Sequence, residues 1–480
     1  MKRPKSSRPT LGRSMAIATS AFASIFIACG SNSSNPSDAL RPIDAAPIQP
    51  GSDAGTPAPT DPVVTNAAAL IAAGRDTFRN DTFGDEAFWG SRGLGLQAGV
   101  ATVDPTTALT LGLKVDMDAL PANVVAGIQN GSISLTDPKT TLALLQLDAV
   151  VGIKGTFEAS GKLTDIGITC ALCHSTVDDA FVKGVGHRLD GWANRDLDVG
   201  AIVAATVTNP APVLGYFQNA GVTLTAQQLV GILTSWGPGK FDAEVFLDGR
   251  VTPPAGNGSA GAAGPGGTDS ATLIPAAFGM LGVNEHTWTG WGSITYWNAF
   301  VANLEMHGQG NFTDSRLANA TKFPVAAANH LDHVTHETDL ISSKLPALEF
   351  YQLAIATPVP PAGSFDAAAA ARGKVAFQTY HCASCHASGI TSDPGWNMHT
   401  PSEMAEDPFQ ANRGPDGMYR TAPLNGLWTH VKGGFYHDGR FQTLGAVLDH
   451  YAANGIGNGG TAFTYAGTDE ADLEQYLLSL

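Results

Sequence analysis

Hydrophobic and polar positions divide the chain into stretches of different character. Met15 to Ala28 is predominantly apolar and follows a basic segment carrying Lys2, Arg3, Lys5, Arg8 and Arg13. Its length suits the core of an export signal and falls short of a permanent membrane span. Residues 30–62 hold few large apolar side chains and are rich in Ser, Asn, Pro, Asp, Ala and Gly. Such a stretch buries too little surface to fold and reads as a flexible tether. Helical patterns follow. Asn66 to Phe78 is alanine-rich, and Asp366 to Phe377 repeats that pattern with Ser364 or Asp366 as its N-cap. Shorter helical runs are predicted at Thr140–Val151, Trp297–Met306 and Leu444–Tyr451, and a Gly- and Ala-rich surface loop at Pro253–Gly267. The expectation is a mainly α chain with long, loop-rich insertions.

Composition narrows the class. The 480 residues are 43% apolar and 15% charged, which excludes a disordered chain and allows a sizeable core. Gly 55 and Pro 29 point to long loops. Lys+Arg 27 against Asp+Glu 43 leaves a net charge of −16, which excludes a nucleic-acid partner. Five cysteines in this length exclude a disulfide-stapled scaffold.

Four of those cysteines carry the chemistry. They read Cys170-Ala-Leu-Cys173-His174 and Cys382-Ala-Ser-Cys385-His386. Each is a C-x-x-C-H haem-attachment pattern. Two thiols three residues apart can add to the two vinyl groups of one porphyrin, and the next residue then offers its imidazole to the iron. A zinc ribbon would need its cysteine pairs close together, and these lie about 200 residues apart; it would also leave each histidine unexplained. A thioredoxin-like pair needs a βαβ setting that neither stretch has. Two covalent haems c are therefore expected, with His174 and His386 as iron ligands. Covalent haem attachment occurs outside the cytoplasm, which agrees with the export signal. The fifth cysteine, Cys29, ends the signal in Phe26-Ile27-Ala28-Cys29-Gly30, a sequence that resembles a bacterial lipobox with Phe26 where Leu is usual. Lipidation at Cys29 would hold the protein on the periplasmic side of the cell envelope, touching the membrane only through its anchor.

The two haem motifs sit in related settings. Gly74-Arg75-Asp-Thr-Phe78 echoes Gly373-Lys374-Val-Ala-Phe377, and Gly279 and Gly292 are 13 apart, as are Gly426 and Gly439. The segment around Cys382 resembles the first helix of a class I cytochrome c. The expected organisation is a signal at 1–28, a tether at 29–65, an N-terminal haem domain at 66–345 with an insertion over roughly 79–165, and a C-terminal cytochrome c-like haem domain at 346–480.

Arg420-Thr-Ala-Pro-Leu-Asn-Gly426-Leu-Trp428 and Gly434-Phe-Tyr-His437-Asp438-Gly439-Arg440-Phe-Gln-Thr443-Leu resemble the C-terminal signature of bacterial di-haem cytochrome c peroxidases. The methylamine-utilisation di-haem enzyme and the rubber oxygenases are relatives of that family. The wide gap between the motifs is more like the rubber-oxygenase branch. The resemblance is strong over 364–451 and moderate over 273–306. It implies an electron-transfer haem on His386 and a reactive haem on His174. It implies Tyr451 as sixth ligand of the first, with His450, His437, His399 and Met398 as rivals. For the second it implies His187 as a displaceable ligand and Glu305, in Asn303-Leu304-Glu305-Met306, as acid–base group. Trp288 or Trp291 would relay electrons, although neither has the usual Trp-Asp-Gly-Arg context. The implied reaction is reduction of hydrogen peroxide with electrons from a small donor protein. An oxygenase acting on an organic substrate and a non-enzymatic electron carrier remain the alternatives. Relatives bind calcium between the haem domains, but no acidic loop here has a clear calcium spacing. His330, His333 and His336 spread over too wide a helical arc for a shared metal site.

Overall fold

The computed structural model describes residues 61–250, 270–387 and 389–480. The export signal, Cys29 and the predicted loop Pro253–Gly267 lie outside the described residues. Helix α1 (Pro62–Asn80) begins at Asp61, whose side chain accepts the Val63 N–H at 2.9 Å, with Pro62 at the first helical position. An antiparallel hairpin of β1 (Ile153–Phe157) and β2 (Leu163–Ile168) leads into a single turn, α2 (Ala171–His174). Helix α3 (Ile294–Phe300) is capped by Ser293 and runs into a π turn at Val301–Glu305. Then come α4 (Leu345–Ala354), α5 (Ala367–Thr379) capped by Asp366, α6 (Leu444–Asn454) capped by Thr443, and α7 (Asp469–Leu478). The chain is helix-rich, and strands among the described residues occur only in two-stranded ladders. Two predicted helices are shorter than their patterns. Thr140–Val151 is helical only within Pro138–Gln146, because Asp148 turns left-handed at φ 53° and Ala149 O then accepts the Asp116 N–H. Trp297–Met306 changes to π geometry after Phe300.

The alanine-rich patterns predicted α1 and α5 but not what they pack on. Helix α1 crosses α4 at Gly74, where a β-carbon would lie 1.9 Å from the Ala347 carbonyl oxygen. Helix α5 crosses α7 at Gly373, where a β-carbon would lie 1.9 Å from that of Asp472. Only glycine allows axes this close. One turn on, Phe78 meets Tyr351 edge-on at 5.6 Å, and Phe377 meets Tyr476 in the same way at 5.2 Å. The echo continues downstream. His286 bridges to Gly292 and Phe435 to Phe441, each closing a loop just before a Ser- or Thr-capped helix, α3 or α6. One structural unit thus occurs twice. Helix α4 packs on α1 of the first copy, and the boundary expected at 345/346 falls after its first residue.

The halves are joined by a buried ionic cluster. Arg413 has no exposed surface, and its guanidinium donates to Asp242 at 2.7 Å and Asp248 at 2.8 Å. Gln410 donates to Glu244 at 2.7 Å in the same cluster.

Another buried carboxyl, Asp85, stands between α1 and β2 and accepts the Ile168 N–H at 3.2 Å. Burial pushes it from an ordinary 3.8 up to about 10. A folded value above the unfolded one gives stability that is complete below about pH 4 and is lost as pH rises towards 10. Asp85→Asn should therefore unfold at higher denaturant than the parent at pH 8, and the gap should shrink towards pH 4. A gap that stays constant with pH would contradict this titration.

Candidate haem-attachment sites

After α5 the backbone turns left-handed at His381 and forms a short 3-10 turn over Cys382–Ser384. This places His386 beneath Phe377, with ring centroids 6.4 Å apart. His386 Nδ1 lies 3.0 Å from the Thr391 carbonyl oxygen. A carbonyl only accepts, so Nδ1 carries the proton and Nε2 keeps its lone pair. Burial lowers the imidazole's pKa, which keeps it neutral. Thr391 is itself held in place, its hydroxyl accepting the N–H groups of Leu424 and Asn425.

Above His386 opens a cavity of about 1360 Å³, its mouth included. Cys382, Cys385, Tyr451, Tyr436, His437 and Trp288 are among its lining residues. Two guanidinium groups, Arg195 and Arg420, also reach it, and in each the buried Nη1 has no hydrogen-bond partner. Desolvation lowers both to about 10. Orphaned donors in a largely apolar cavity call for anions, and the two propionates of a haem would supply them.

The rivals expected for the sixth position separate clearly. Both nitrogens of His399 are engaged, Nε2 by Asp393 at 2.6 Å and Nδ1 by Glu403 at 3.0 Å. Cys385 and those carboxylates hold it protonated, with a pKa of about 10. His450 lies outside the lining and contacts the Met404 carbonyl and the Asn454 side chain. Met398 packs over Gly290 instead. His437 lines the cavity with Nδ1 bound to Glu406 at 2.6 Å. Tyr451 lines it from α6, with the buried Tyr436 hydroxyl as a charge-coupled neighbour. Met404 and His430 also line it and have no counterpart in the sequence analysis, because both lie in loops that carry no periodic signal.

The second attachment site is built on α2. Its Cys170 and Ala171 pack with Phe78, Phe83, Ala302 and Met306. His174 Nδ1 lies 3.2 Å from the Pro275 carbonyl oxygen, and burial lowers its pKa to about 4. The geometry of His386 is thus repeated, with a neutral ring and Nε2 free. Burial pushes the thiols of Cys170 and Cys173 up to about 12 and that of Cys382 up to about 11. All four cysteines are unpaired. At Cys170 and Cys173, protonated thiols three residues apart are the reverse of a thioredoxin-type pair, in which the thiolate is stabilised.

Glu305 ends the π turn, an irregularity frequent at functional sites. Its carboxyl is enclosed, and Oε1 has no hydrogen-bond partner. Burial and the charge of Glu244 push it up to about 8, and its own charge acts on the Cys173 thiol. His187 is not at this site. The chain leaves His174 through a short ladder pairing Ser175–Val177 with Arg188–Asp190, which carries His187 to the surface. There its ring is half exposed and ion-paired with Asp118 at 2.9 Å.

The two tryptophans part company as well. Trp291 is buried in an aromatic cluster with Trp297, Phe300 and Phe323. Trp288 lines the His386 cavity and donates Nε1–H to the Leu273 carbonyl at 2.9 Å. The Leu273 N–H in turn binds the His437 carbonyl at 2.7 Å. Two residues on, Pro275 holds His174. The short segment 273–275 therefore touches both sites.

No family model matches the sequence. No curated protein matches it either. Among solved structures, a chain of Kuenenia stuttgartiensis hydrazine synthase pressurised with xenon aligns over 44% of this chain and 73% of its own. The identity is 16% and the TM-score 0.25, too slight a likeness to carry an argument.

Proposed function

We propose that this protein is an exported di-haem c-type oxidoreductase of the bacterial cytochrome c peroxidase type. One observation carries the reading: each C-x-x-C-H histidine holds its Nδ1–H on a backbone carbonyl and keeps Nε2 free. The donor set fits haem, with two thiols, one oriented imidazole and, at His386, two orphaned guanidinium groups. Cys170, Cys173 and His174 would hold one haem, and Cys382, Cys385 and His386 the other, each within a class I cytochrome c-like unit. When bound, haem supplies an iron that exchanges electrons and takes up a small oxygen species.

The chain's own residues supply the rest. Glu305 would hold a proton at an enclosed carboxyl and hand it between the oxygens of a peroxide substrate. Tyr451 offers a phenol to the His386 site. Trp288 and the 273–275 segment connect the two sites for electrons delivered by a small donor protein. Lipidation at Cys29 anchors the protein on the periplasmic side of the envelope. An apolar cavity of about 1030 Å³, its mouth included, favours a second reading, an oxygenase acting on an apolar organic substrate. Its lining includes Leu172, which stands between the two cysteines of the first motif.

Covalent attachment is the direct test. On a denaturing gel stained for haem, the double variants Cys170→Ser, Cys173→Ser and Cys382→Ser, Cys385→Ser should each retain about half the parent's stain, because thioethers survive denaturation and each double variant loses both at one site. Full staining of either variant would remove the two-site assignment.

A further inference from the structure

The apolar cavity of about 1030 Å³, its mouth included, differs in kind from the one above His386. Three short helices build much of its wall. Pro105–Thr110 contributes Pro105, Ala108 and Leu109, and Pro138–Gln146 contributes Thr141, Leu144 and Leu145. Val199–Thr206 contributes Val199, Ile202, Val203 and Thr206. Each set follows the i, i+3, i+4 spacing of one helical face, so three largely apolar faces converge on one space.

The few polar side chains of this wall all have partners in the protein. Lys114 Nζ donates to Asp196 at 2.7 Å, the Thr141 hydroxyl to the Val103 carbonyl at 2.6 Å and the Thr206 hydroxyl to the Ile202 carbonyl at 2.6 Å. Trp89 donates Nε1–H to the Met306 carbonyl at 2.8 Å. Every other lining residue is Leu, Val, Ile, Ala or Pro. Among the described residues, no buried side-chain nitrogen or oxygen without a partner belongs to this wall, whereas Arg195 and Arg420 bring two to the His386 cavity. Such a space offers water no hydrogen bonds, stays dry and takes up apolar molecules. Peroxide or a phenol would lose its hydrogen bonds on entry.

The cavity also abuts the first attachment turn. Leu172 lies in its wall with Ile166 and Ile168 from β2, but Cys170, Cys173 and His174 do not. A molecule held there must pass Leu172 to reach the imidazole. Side-chain motion in a close-packed wall opens a path for a diatomic gas and not for a bulky organic molecule. We infer that this cavity binds dioxygen and holds it beside the His174 turn. Its use in catalysis rests on the oxygenase reading given above; the binding itself does not.

The test uses the full-length ferric holoprotein with labelled Leu and Val methyl groups, followed by NMR under nitrogen and then under dioxygen pressure. Ferric haem takes up no dioxygen, so the paramagnetic shifts report its entry into the protein. The methyls of Leu144, Leu172 and Val203 should shift several-fold more than those of Leu317 and Leu348, which are buried and line neither cavity. Ala108→Phe, which fills the space, should abolish that difference. Leu144→Ala, which enlarges it, should increase the difference at Leu172 and Val203, and it decides the matter alone if Ala108→Phe does not fold. Equal shifts at cavity and control methyls in the parent, or an unchanged difference in either folded variant, overturn the inference. Entry of dioxygen without any dioxygen-consuming turnover would remove the oxygenase reading instead and leave the site standing.

Discussion

Glu305→Gln is expected to slow peroxide turnover by about 10²–10⁴-fold while both haems stay attached and the fold is kept. The side chain is enclosed, so an isosteric amide fills the same space without opening a cavity. What is lost is the ability to take up a proton from one oxygen and release it to another. Three features favour this role for Glu305. Its Oε1 is free of any partner, so no hydrogen bond must break before it acts. Its carboxyl is pushed up to about 8 by burial first and by Glu244 second, close to the value that best serves proton transfer at neutral pH. It ends a π turn that packs on the cysteine turn of the His174 site. The measurement is steady-state peroxide reduction with a reduced small donor protein or a chemical donor, alongside the haem stain. Wild-type turnover in the variant would remove the peroxidase assignment. The oxygenase reading, with its apolar cavity, and the carrier reading would then move ahead.

How much of this was legible in the sequence depended on the range of the signal. The thiol and imidazole spacing is local, so Cys170 to His174 and Cys382 to His386 could be read directly. The alanine-rich helices could also be read, together with the glycine and the aromatic one turn beyond it. Their partners could not, because periodicity defines a buried face but not what covers it. Tyr351 and Tyr476 therefore emerge only from the packing. His187 illustrates the opposite error. It lies thirteen residues after His174, yet a short antiparallel ladder turns it outward onto Asp118. Trp288 and Trp291 are three residues apart and chemically identical, and only their surroundings separate a cavity wall from an aromatic core.

Arg413→Met is expected to be the most destabilising single substitution of those considered, at about 3–5 kcal/mol. The guanidinium is wholly buried and serves Asp242 and Asp248 directly, with the Ser270 carbonyl as a third acceptor at 3.3 Å. It also lies over the Phe409 ring at 5.2 Å. Burial raises the pKa of Asp242, and the charge of Arg413 opposes that shift. Removing the cation leaves carboxylates that must either stay charged in an apolar setting or take up protons. The cost is therefore mostly that of uncompensated charge rather than of lost packing, and it can be tested as such. In urea or guanidinium, Arg413→Met should unfold at a clearly lower midpoint than the parent. The triple variant Arg413→Met, Asp242→Asn, Asp248→Asn should recover much of that loss, although it has lost three polar partners instead of one. Equal stability of the single variant and the parent would mean that the cluster does not hold the halves together. A triple variant weaker than the single one would mean that its hydrogen bonds, not its charge balance, provide the stability. The cluster also has a functional side. Glu244, one of its members, has a buried oxygen without a partner, and its charge reaches Glu305. Disturbing Arg413 should thus alter the proton affinity of Glu305, so the joint between the halves and the chemistry at His174 share one electrostatic unit.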